Sequence, residues 1–178
     1  MWEIMNNIIL IGFMGTGKTA ISKYLEEKFN MSAIDTDHLI STMEGISIAK
    51  IFENKGEAYF RKLETKALKE LSTQSGLSST VISCGGGMAL NPVNVKEMRK
   101  MGLVVLLKAD PETIYSRVKD DNNRPLLKDS LNIEFIEDML KGRMPYYERA
   151  ADITIATDNK TLEEIVNEIV ENEKTDRR

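Results

Sequence analysis

The sequence has little of what marks secreted, membrane-spanning or disulfide-bonded proteins. Its 178 residues include one cysteine, Cys84, so no disulfide can form within the chain, which fits a reducing compartment. The longest apolar runs have the length of strands and are far too short to cross a bilayer. The opening stretch MWEIMNN lacks the basic region and apolar run of a signal peptide. We therefore expect a cytoplasmic protein with no membrane partner.

An excess of basic charge is also missing. The chain has 24 Lys and Arg against 28 Asp and Glu, and the resulting net charge of −4 argues against a nucleic-acid-binding surface. No repeat or low-complexity linker interrupts the sequence, so we expect a single domain over residues 1–178.

What the sequence does contain is a regular alternation of strand-like and helix-like segments. Continuous apolar runs predict buried strands, and shorter runs predict two more, at 7–13, 32–37, 79–87, 103–109 and 152–157. Between them the apolar residues recur at helical spacing, and Asn-Pro at 91–92 and Asp-Pro at 110–111 mark helix starts. The polar last eight residues, 171–178, predict a frayed end. This alternation predicts an α/β protein whose parallel sheet is covered by helices on both faces.

The segment GFMGTGKT, after the first strand, fits the phosphate-loop pattern G-x-x-x-x-G-K-[ST]. Glycines let backbone N–H groups point inward around an anion, and the helix that follows presents its free N–H groups to the same anion. We expect Lys18 to reach the β- and γ-phosphates and the Thr19 hydroxyl to ligate Mg²⁺. The predicted ATP-binding segment is Gly15, Thr16, Gly17, Lys18, Thr19 and Ala20.

Acidic and glycine-rich segments follow the second and third strands. The third strand ends in glycines with no acid, whereas Asp35 and Asp37 stand just past the second strand. Ligands of such sheets bind outside the carboxyl ends of the strands. We therefore expect the phosphate loop, the two aspartates and the glycines to converge on one crevice.

Three arginines complete the candidate site. Arg61 lies in the first turns of a helix, and Arg143 lies one turn before Pro145 in another. The planar guanidinium fork suits a carboxylate partner. Arg124 stands in a polar loop, 121–132, which has the features of a lid over the phosphate site.

Taken together, these segments resemble the shikimate kinase family over nearly the whole chain. The matching stretches, in the order of that family, are GFMGTGKT, DTD, GEAYFR, CGGG, RPLL and RMPYYERAAD. The resemblance implies a three-layer α/β/α P-loop NTPase fold with five parallel strands in the order 2-3-1-4-5 and a mobile lid. It also implies transfer of the ATP γ-phosphate to the 3-hydroxyl of shikimate, with Mg²⁺, on the route to aromatic amino acids.

The resemblance assigns roles on the acceptor side. Asp37 would contact the shikimate hydroxyls and is a candidate to take the proton. Arg61 and Arg143 would bind the carboxylate. The backbone of the glycines would lie beside the ring, which adds Gly85, Gly86 and Gly87 to the substrate-binding set.

On the nucleotide side, the resemblance places Arg124 from the lid on the phosphates and Arg117 near the adenine. Asp35 would act on Mg²⁺ alongside Thr19. Lys160 stands where family members often have an arginine, so it is the expected adenine-side contact. Lys18, Asp37 and Arg124 are then the expected catalytic residues.

Rival interpretations remain open at the sequence level. Another small-molecule kinase of this architecture, acting on gluconate or a nucleoside monophosphate, fits the phosphate loop equally well. A guanine-nucleotide switch usually carries N-K-x-D, and Leu162 stands in DNKTL where the aspartate should be. An idle nucleotide-binding subunit would not need the intact Lys18 and Asp37. We expect a monomer whose partners are ATP and shikimate.

Overall fold

The computed structural model describes residues 6–119 and 131–176. Its strands form one five-stranded parallel sheet in the order β2-β3-β1-β4-β5, which confirms the expected topology. The strands are β1 (Ile8–Ile11), β2 (Ser32–Asp35), β3 (Thr80–Ser83), β4 (Leu103–Lys108) and β5 (Ile153–Ala156). Each is shorter than the apolar run that predicted it, because the flanking residues form turns and helix caps.

Helices connect every pair of consecutive strands in the described residues. They are α1 (Lys18–Phe29), α2 (Thr36–Glu44), α3 (Ile48–Thr73), α4 (Pro92–Met101), α5 (Pro111–Val118), α6 (Ile133–Ala150) and α7 (Leu162–Asp176). A short 3₁₀ turn, Met88–Leu90, follows β3. None of the described helices is long and apolar enough to pass through a bilayer.

Two apolar layers cover the sheet, one on each face. Side chains alternate along a strand, so Ile9 and Ile11 pack with residues of α3 to α6, while Ile8 and Leu10 pack with α1 and α7. All four are at most 1% exposed. The buried central strand explains the continuous apolar run in the sequence, and the three-layer arrangement is the predicted one.

A smaller apolar cluster joins α2 to α3. It consists of buried residues that belong to neither sheet layer, namely Ile40, Ile51, Phe60, Leu63 and Ala67. The chain turns at Gly45, after α2, and α3 is kinked at Gly56, where φ is 75° and ψ is 173°. After these two breaks, the second half of α3 lies beside the end of β3, where Arg61 is next to Gly87.

The prediction of a frayed C-terminus was wrong for the described part of the chain, because α7 continues to Asp176. Glu173 in this helix is only 3% exposed, and its Oε1 accepts a hydrogen bond from the backbone N–H of Asn6. The tertiary contact holds a segment whose own composition is polar. Of the predicted lid, 121–132, residues 121–130 lie outside the described residues, and Arg124 is among them.

Candidate active site

The phosphate loop joins the end of β1 to the start of α1. Its backbone is wound by glycines in the left-handed region, with φ of 73° at Gly15 and 99° at Gly17. The Lys18 ammonium donates hydrogen bonds to the carbonyl oxygens of Gly12 (2.8 Å) and Phe13 (2.9 Å). The Thr16 hydroxyl also donates to the Phe13 carbonyl, at 2.8 Å. The loop is therefore already folded around its lysine, at the positive end of α1.

Close packing also requires glycine at two positions of this loop. A Cβ on Gly12 would overlap the carbonyl oxygen of Leu107 at the end of β4. A Cβ on Gly15 would lie 2.8 Å from Cγ1 of Val118 in α5. The loop is thus fitted between β4 and α5, which fixes it relative to the sheet.

The two predicted aspartates lie at the start of α2. Asp35 ends β2 and caps this helix, with Oδ1 accepting from the backbone N–H of His38 at 3.0 Å. Asp37 lies in the first turn of this helix rather than in the strand predicted over 32–37. Between them, buried Thr36 accepts a hydrogen bond from the Gly85 N–H at 3.0 Å and donates to the sulfur of Met88 at 3.1 Å. The start of α2 is therefore tied to the glycine turn after β3.

That turn, Gly85–Gly87, brings the separate parts of the site together. A Cβ placed on Gly85 would lie 2.8 Å from Oδ1 of Asp37. On Gly86 it would lie 3.6 Å from the carbonyl oxygen of Gly12 in the phosphate loop, and on Gly87 it would lie 2.7 Å from Cζ of Arg61. The absent side chains of Gly85 and Gly87 make room for an acid and an arginine, and Gly86 between them lies next to the phosphate loop.

Arg61 is held by two carboxylates of its own helix. Its Nη1 donates to both oxygens of Glu64 at 2.9 Å, and its Nη2 donates to Oε1 of Glu57 at 2.8 Å. The Glu64 side chain is 1% exposed and the Glu57 side chain 67% exposed. Burial raises the pKa of Glu64 to about 7, against the lowering effect of hydrogen bonding and charge from Arg61. The Nε–Nη2 edge of Arg61, which faces the exposed Glu57, already accommodates a carboxylate.

Arg143 reaches the same region from α6. Its guanidinium carbon lies 5.5 Å from the ring centre of Phe13 in the phosphate loop, within the range of a cation–π contact. One helical turn later, the hydroxyl of Tyr147 donates a hydrogen bond to the Gly86 carbonyl at 2.6 Å. Both predicted carboxylate-binding arginines are therefore adjacent to the glycine turn or to the loop that touches it.

The predicted nucleotide-side residues have different surroundings. Arg117 donates to the carbonyl oxygen of Gly15 (3.0 Å) and to the hydroxyl (3.1 Å) and carbonyl (3.2 Å) oxygens of Thr157. It therefore joins the phosphate loop to the segment after β5. Lys160 forms an ion pair with Glu168 of α7, at 2.6 Å. Its side chain is thus held against α7, whereas Arg117 is in contact with the loop itself.

The predicted Mg²⁺ ligands are one hydroxyl and one carboxylate. Thr19 is exposed in the first turn of α1, and Asp35 is exposed at the end of β2. In the described part of the chain, no group of three or more His, Cys, Asp or Glu residues is able to enclose a metal ion. A small oxygen donor set fits Mg²⁺, which keeps several waters and uses phosphate oxygens as its other ligands.

Glu64, Tyr147 and Thr36 belong to this site but were not predicted from the sequence. Glu64 follows Phe60 by four residues and Leu63 by one, which puts a charged group on the buried side of an amphipathic helix. Tyr147 follows Arg143 by four residues, on the same side of α6. These spacings are readable signals. Thr36 has no such signal in the sequence, because its partners Gly85 and Met88 are far away along the chain.

The arrangement suits phosphoryl transfer to a small acid that carries hydroxyl groups. A preformed polyphosphate cradle lies beside a turn that is flanked by one carboxylate and one guanidinium, with a second guanidinium over the loop. Such a site binds two anions at a fixed separation and positions a hydroxyl group between them.

Known proteins match this chain along most of its length. A family profile described as "Shikimate kinase" matches residues 14–174. The shikimate kinase of Dehalococcoides mccartyi is 45% identical over 170 residues, which is 94% of this chain and 93% of that protein. The shikimate kinase of Caldanaerobacter subterraneus is 45% identical over 166 residues, or 93% and 95% of the two chains.

Solved structures give the same result. Shikimate kinase from Acinetobacter baumannii in complex with shikimate superposes with a TM-score of 0.87 at 33% identity, covering 97% of this chain and 94% of that one. Shikimate kinase from Aquifex aeolicus superposes with a TM-score of 0.80 at 38% identity, covering 96% and 98%. Sequence and fold therefore point to one family.

Proposed function

This chain belongs to the shikimate kinase family and is an ATP-dependent kinase that phosphorylates shikimate, and we propose that the reaction takes place between the phosphate loop and the Gly85–Gly87 turn. The position of Gly86, where a Cβ would lie 3.6 Å from the Gly12 carbonyl oxygen, is the observation that carries this location. It puts the acceptor side of the site directly against the loop that would hold the phosphate to be transferred.

On the nucleotide side, the backbone N–H groups of the loop and of the first turn of α1 would bind the phosphates. The segment involved is Gly15, Thr16, Gly17, Lys18, Thr19 and Ala20. Lys18 would exchange its bonds to two loop carbonyls for bonds to the β- and γ-phosphates. Thr19 and Asp35 would hold Mg²⁺, which neutralises phosphate charge when bound.

On the acceptor side, Arg61 and Arg143 would bind the shikimate carboxylate. The Nε–Nη2 edge of Arg61 would exchange the exposed Glu57 for the substrate, while buried Glu64 keeps the guanidinium in place. Asp37 would accept hydrogen bonds from the ring hydroxyls and could take the proton of the 3-hydroxyl. Gly85, Gly86 and Gly87 would line the ring with backbone only.

Most of the rate enhancement would come from positioning and from neutralising charge, because a loose phosphoryl transition state needs little deprotonation. Arg117 lies where it can flank a bound nucleotide, through its contact with the loop at Gly15. Lys160 would have to leave Glu168 to contribute. The roles of Arg124 and of the lid stay predictions from the sequence. The cytoplasmic location, the monomeric state and the lack of nucleic-acid and membrane partners also stay predictions.

Kinetics of single variants test these assignments. Arg61→Ala and Arg143→Ala should each raise the shikimate KM about tenfold to a hundredfold, while the ATP KM changes by less than about threefold, because charged hydrogen bonds to one substrate are lost. Arg149→Ala is the matched control, since this exposed arginine lies in the last turn of α6. An unchanged shikimate KM in both variants would remove the two arginines from the site.

The nearest alternative is a kinase of the same architecture acting on another acceptor, such as gluconate, which also carries hydroxyls and a carboxylate. The family relationship and the shikimate-bound relative favour shikimate. Lys18→Ala should abolish transfer whichever acceptor is used, so it tests the phosphate loop independently of the acceptor side.

A further inference from the structure

We propose that Tyr147 is a positioning residue for the acceptor, because its hydroxyl fixes the Gly86 carbonyl from α6, one helical turn after Arg143. The inference rests on the proposed function and adds to it a residue that acts through the glycine turn. It concerns how the relative position of the glycine turn and of one carboxylate-binding arginine, Arg143, is fixed.

The hydroxyl of Tyr147 supplies a hydrogen bond that the turn does not supply for itself. The carbonyl oxygens of Gly85 and Gly87 accept from backbone N–H groups of the following residues, at 3.0 and 3.2 Å. The Gly86 carbonyl instead accepts from Tyr147, which lies 61 residues away in the sequence, at 2.6 Å. The middle of the turn is thus fixed by α6.

The position of Gly86 makes this bond relevant to the acceptor. Gly86 is the member of the turn that lies against the phosphate loop, near the Gly12 carbonyl and the Met14 N–H. Its neighbours Gly85 and Gly87 lie against Asp37 and Arg61. A rotation of the Gly86 peptide would therefore change the distance between the acceptor groups and the loop.

Arg143 stands one helical turn before Tyr147 in α6, so the two side chains share a side of the helix. Burial raises the pKa of Tyr147, although the charge of Arg143 and a hydrogen bond from it act in the opposite direction. A protonated phenol donates one hydrogen bond and accepts others. The Tyr147 hydroxyl thus donates to Gly86 and keeps acceptor capacity on its oxygen. The guanidinium carbon of Arg143 lies 5.5 Å from the centre of the Phe13 ring.

The ring and the hydroxyl of Tyr147 have separable tasks. The residue is 1% exposed and belongs to the main apolar cluster, so its ring contributes to the core. Tyr147→Phe keeps the ring and removes only the hydroxyl. A purely structural residue would lose stability in this variant without a selective effect on one substrate.

The test compares Tyr147→Phe with Tyr146→Phe, the same change at the adjacent residue, which is 48% exposed. We expect Tyr147→Phe to raise the shikimate KM about tenfold, equivalent to about 1.4 kcal/mol, and the ATP KM by less than about twofold. Tyr146→Phe should leave both constants unchanged. In an Arg143→Ala background, Tyr147→Phe should have a smaller effect than in the wild type, because the two groups act together.

Three results would overturn the inference. They are an unchanged shikimate KM in Tyr147→Phe, an equal rise in both KM values, and an effect that is fully additive with Arg143→Ala. The activity of the wild-type protein shows whether the role of Tyr147 or the proposed function itself has been rejected. If the wild-type protein does not phosphorylate shikimate, the proposed function is wrong, whereas normal wild-type turnover with an unaffected variant rejects Tyr147 alone.

Discussion

At the scale of single residues, the acceptor side of the site depends on glycines, which have no side chain to fill the space that its functional groups occupy. Gly85 and Gly87 leave room for Asp37 and for the Arg61 guanidinium, which come to within 3 Å of where a Cβ would be. Real Cβ atoms do not come this close, so a larger residue at either position must displace its partner. The glycine turn is therefore a packing requirement of the two functional side chains.

Gly87→Ala tests this requirement. The backbone at Gly87 has φ −93° and ψ −12°, which alanine adopts without strain, so only the added methyl group matters. We expect the methyl group to displace Arg61 and raise the shikimate KM about tenfold, with the ATP KM unchanged, measured by steady-state kinetics. Gly142→Ala is the control, because a Cβ there meets nothing within 4 Å. Equal kinetics for the two variants would contradict the packing account.

Glu64 gives a prediction about pH. Its folded pKa of about 7 lies above the ordinary 4.5, so the folded protein binds the proton more tightly than the unfolded chain. The contribution of Glu64 to the free energy of unfolding should therefore fall as pH rises from about 4.5 to about 7 and then level off, by up to about 3 kcal/mol. Urea unfolding across this range measures the slope.

Glu64→Gln should remove this contribution to the pH dependence of the free energy of unfolding, because the amide does not ionise. Glu57→Gln is the matched control on the other side of Arg61, where the carboxylate is exposed, and it should keep the wild-type slope. The same slope in the wild type and Glu64→Gln would show that Glu64 is not the group responsible.

The sequence predicted residues whose chemistry is local and missed those that act through long-range contacts. Lys18 is identified by the glycines around it, and Arg61 was recognised from its own segment. Tyr147 acts on a carbonyl 61 residues away, and no spacing in the sequence reports that contact. Asp37 was expected at the end of the second strand, 32–37, but it lies in α2 because Asp35 caps the helix.

At the scale of elements, helix starts were predictable where a local cap specifies them. Asn91 accepts from the Val93 N–H, and Pro92 occupies the first position of α4, as the sequence indicates. Asp110 precedes Pro111 in the same way but makes no side-chain cap; its backbone N–H is bound by Asp158 instead. The end of α7 depends on Glu173 and Asn6, which are distant in sequence, and it was therefore missed.

The kink in α3 gives the prediction at this scale. Gly56 has φ 75° and ψ 173°, a conformation that is open almost only to glycine, and a Cβ there would meet no atom within 4 Å. Gly56→Ala should therefore lower the free energy of unfolding by about 1–3 kcal/mol through backbone strain alone. Gly142→Ala, within regular α6, should instead be neutral or stabilising by up to about 1 kcal/mol. Similar unfolding midpoints in urea for the two variants would contradict the assigned kink.

At the scale of the whole molecule, the sheet and its two layers were predictable because buried parallel strands leave continuous apolar runs. The order of the strands was not readable from those runs and was inferred from the family resemblance. Register and pairing depend on crossovers that no local pattern encodes. The chain order of the motifs supported that resemblance, and the strand order followed from the resemblance.

The division of the core into separate clusters predicts that the region of α2 and the start of α3 opens more readily than the central sheet. The cluster between α2 and α3 includes no strand residue, whereas β1 and β4 contribute to both sheet layers. Backbone amides of α2 and of residues 48–55 should therefore exchange with deuterium faster than those of β1. Shikimate should slow exchange in α2 and α3 more than ATP does, because Asp37 and Arg61 lie on these helices. Uniform exchange across the fold, or protection of α2 by ATP alone, would contradict this division.

The most direct test of the central claim is ADP formation from Mg-ATP with shikimate, gluconate, AMP or no acceptor in parallel reactions. The account predicts rapid turnover with shikimate and only background ADP formation in the other three. Turnover with gluconate or AMP but not with shikimate would contradict it, because the phosphate loop would then serve an acceptor that the Arg61 and Arg143 side of the site does not explain.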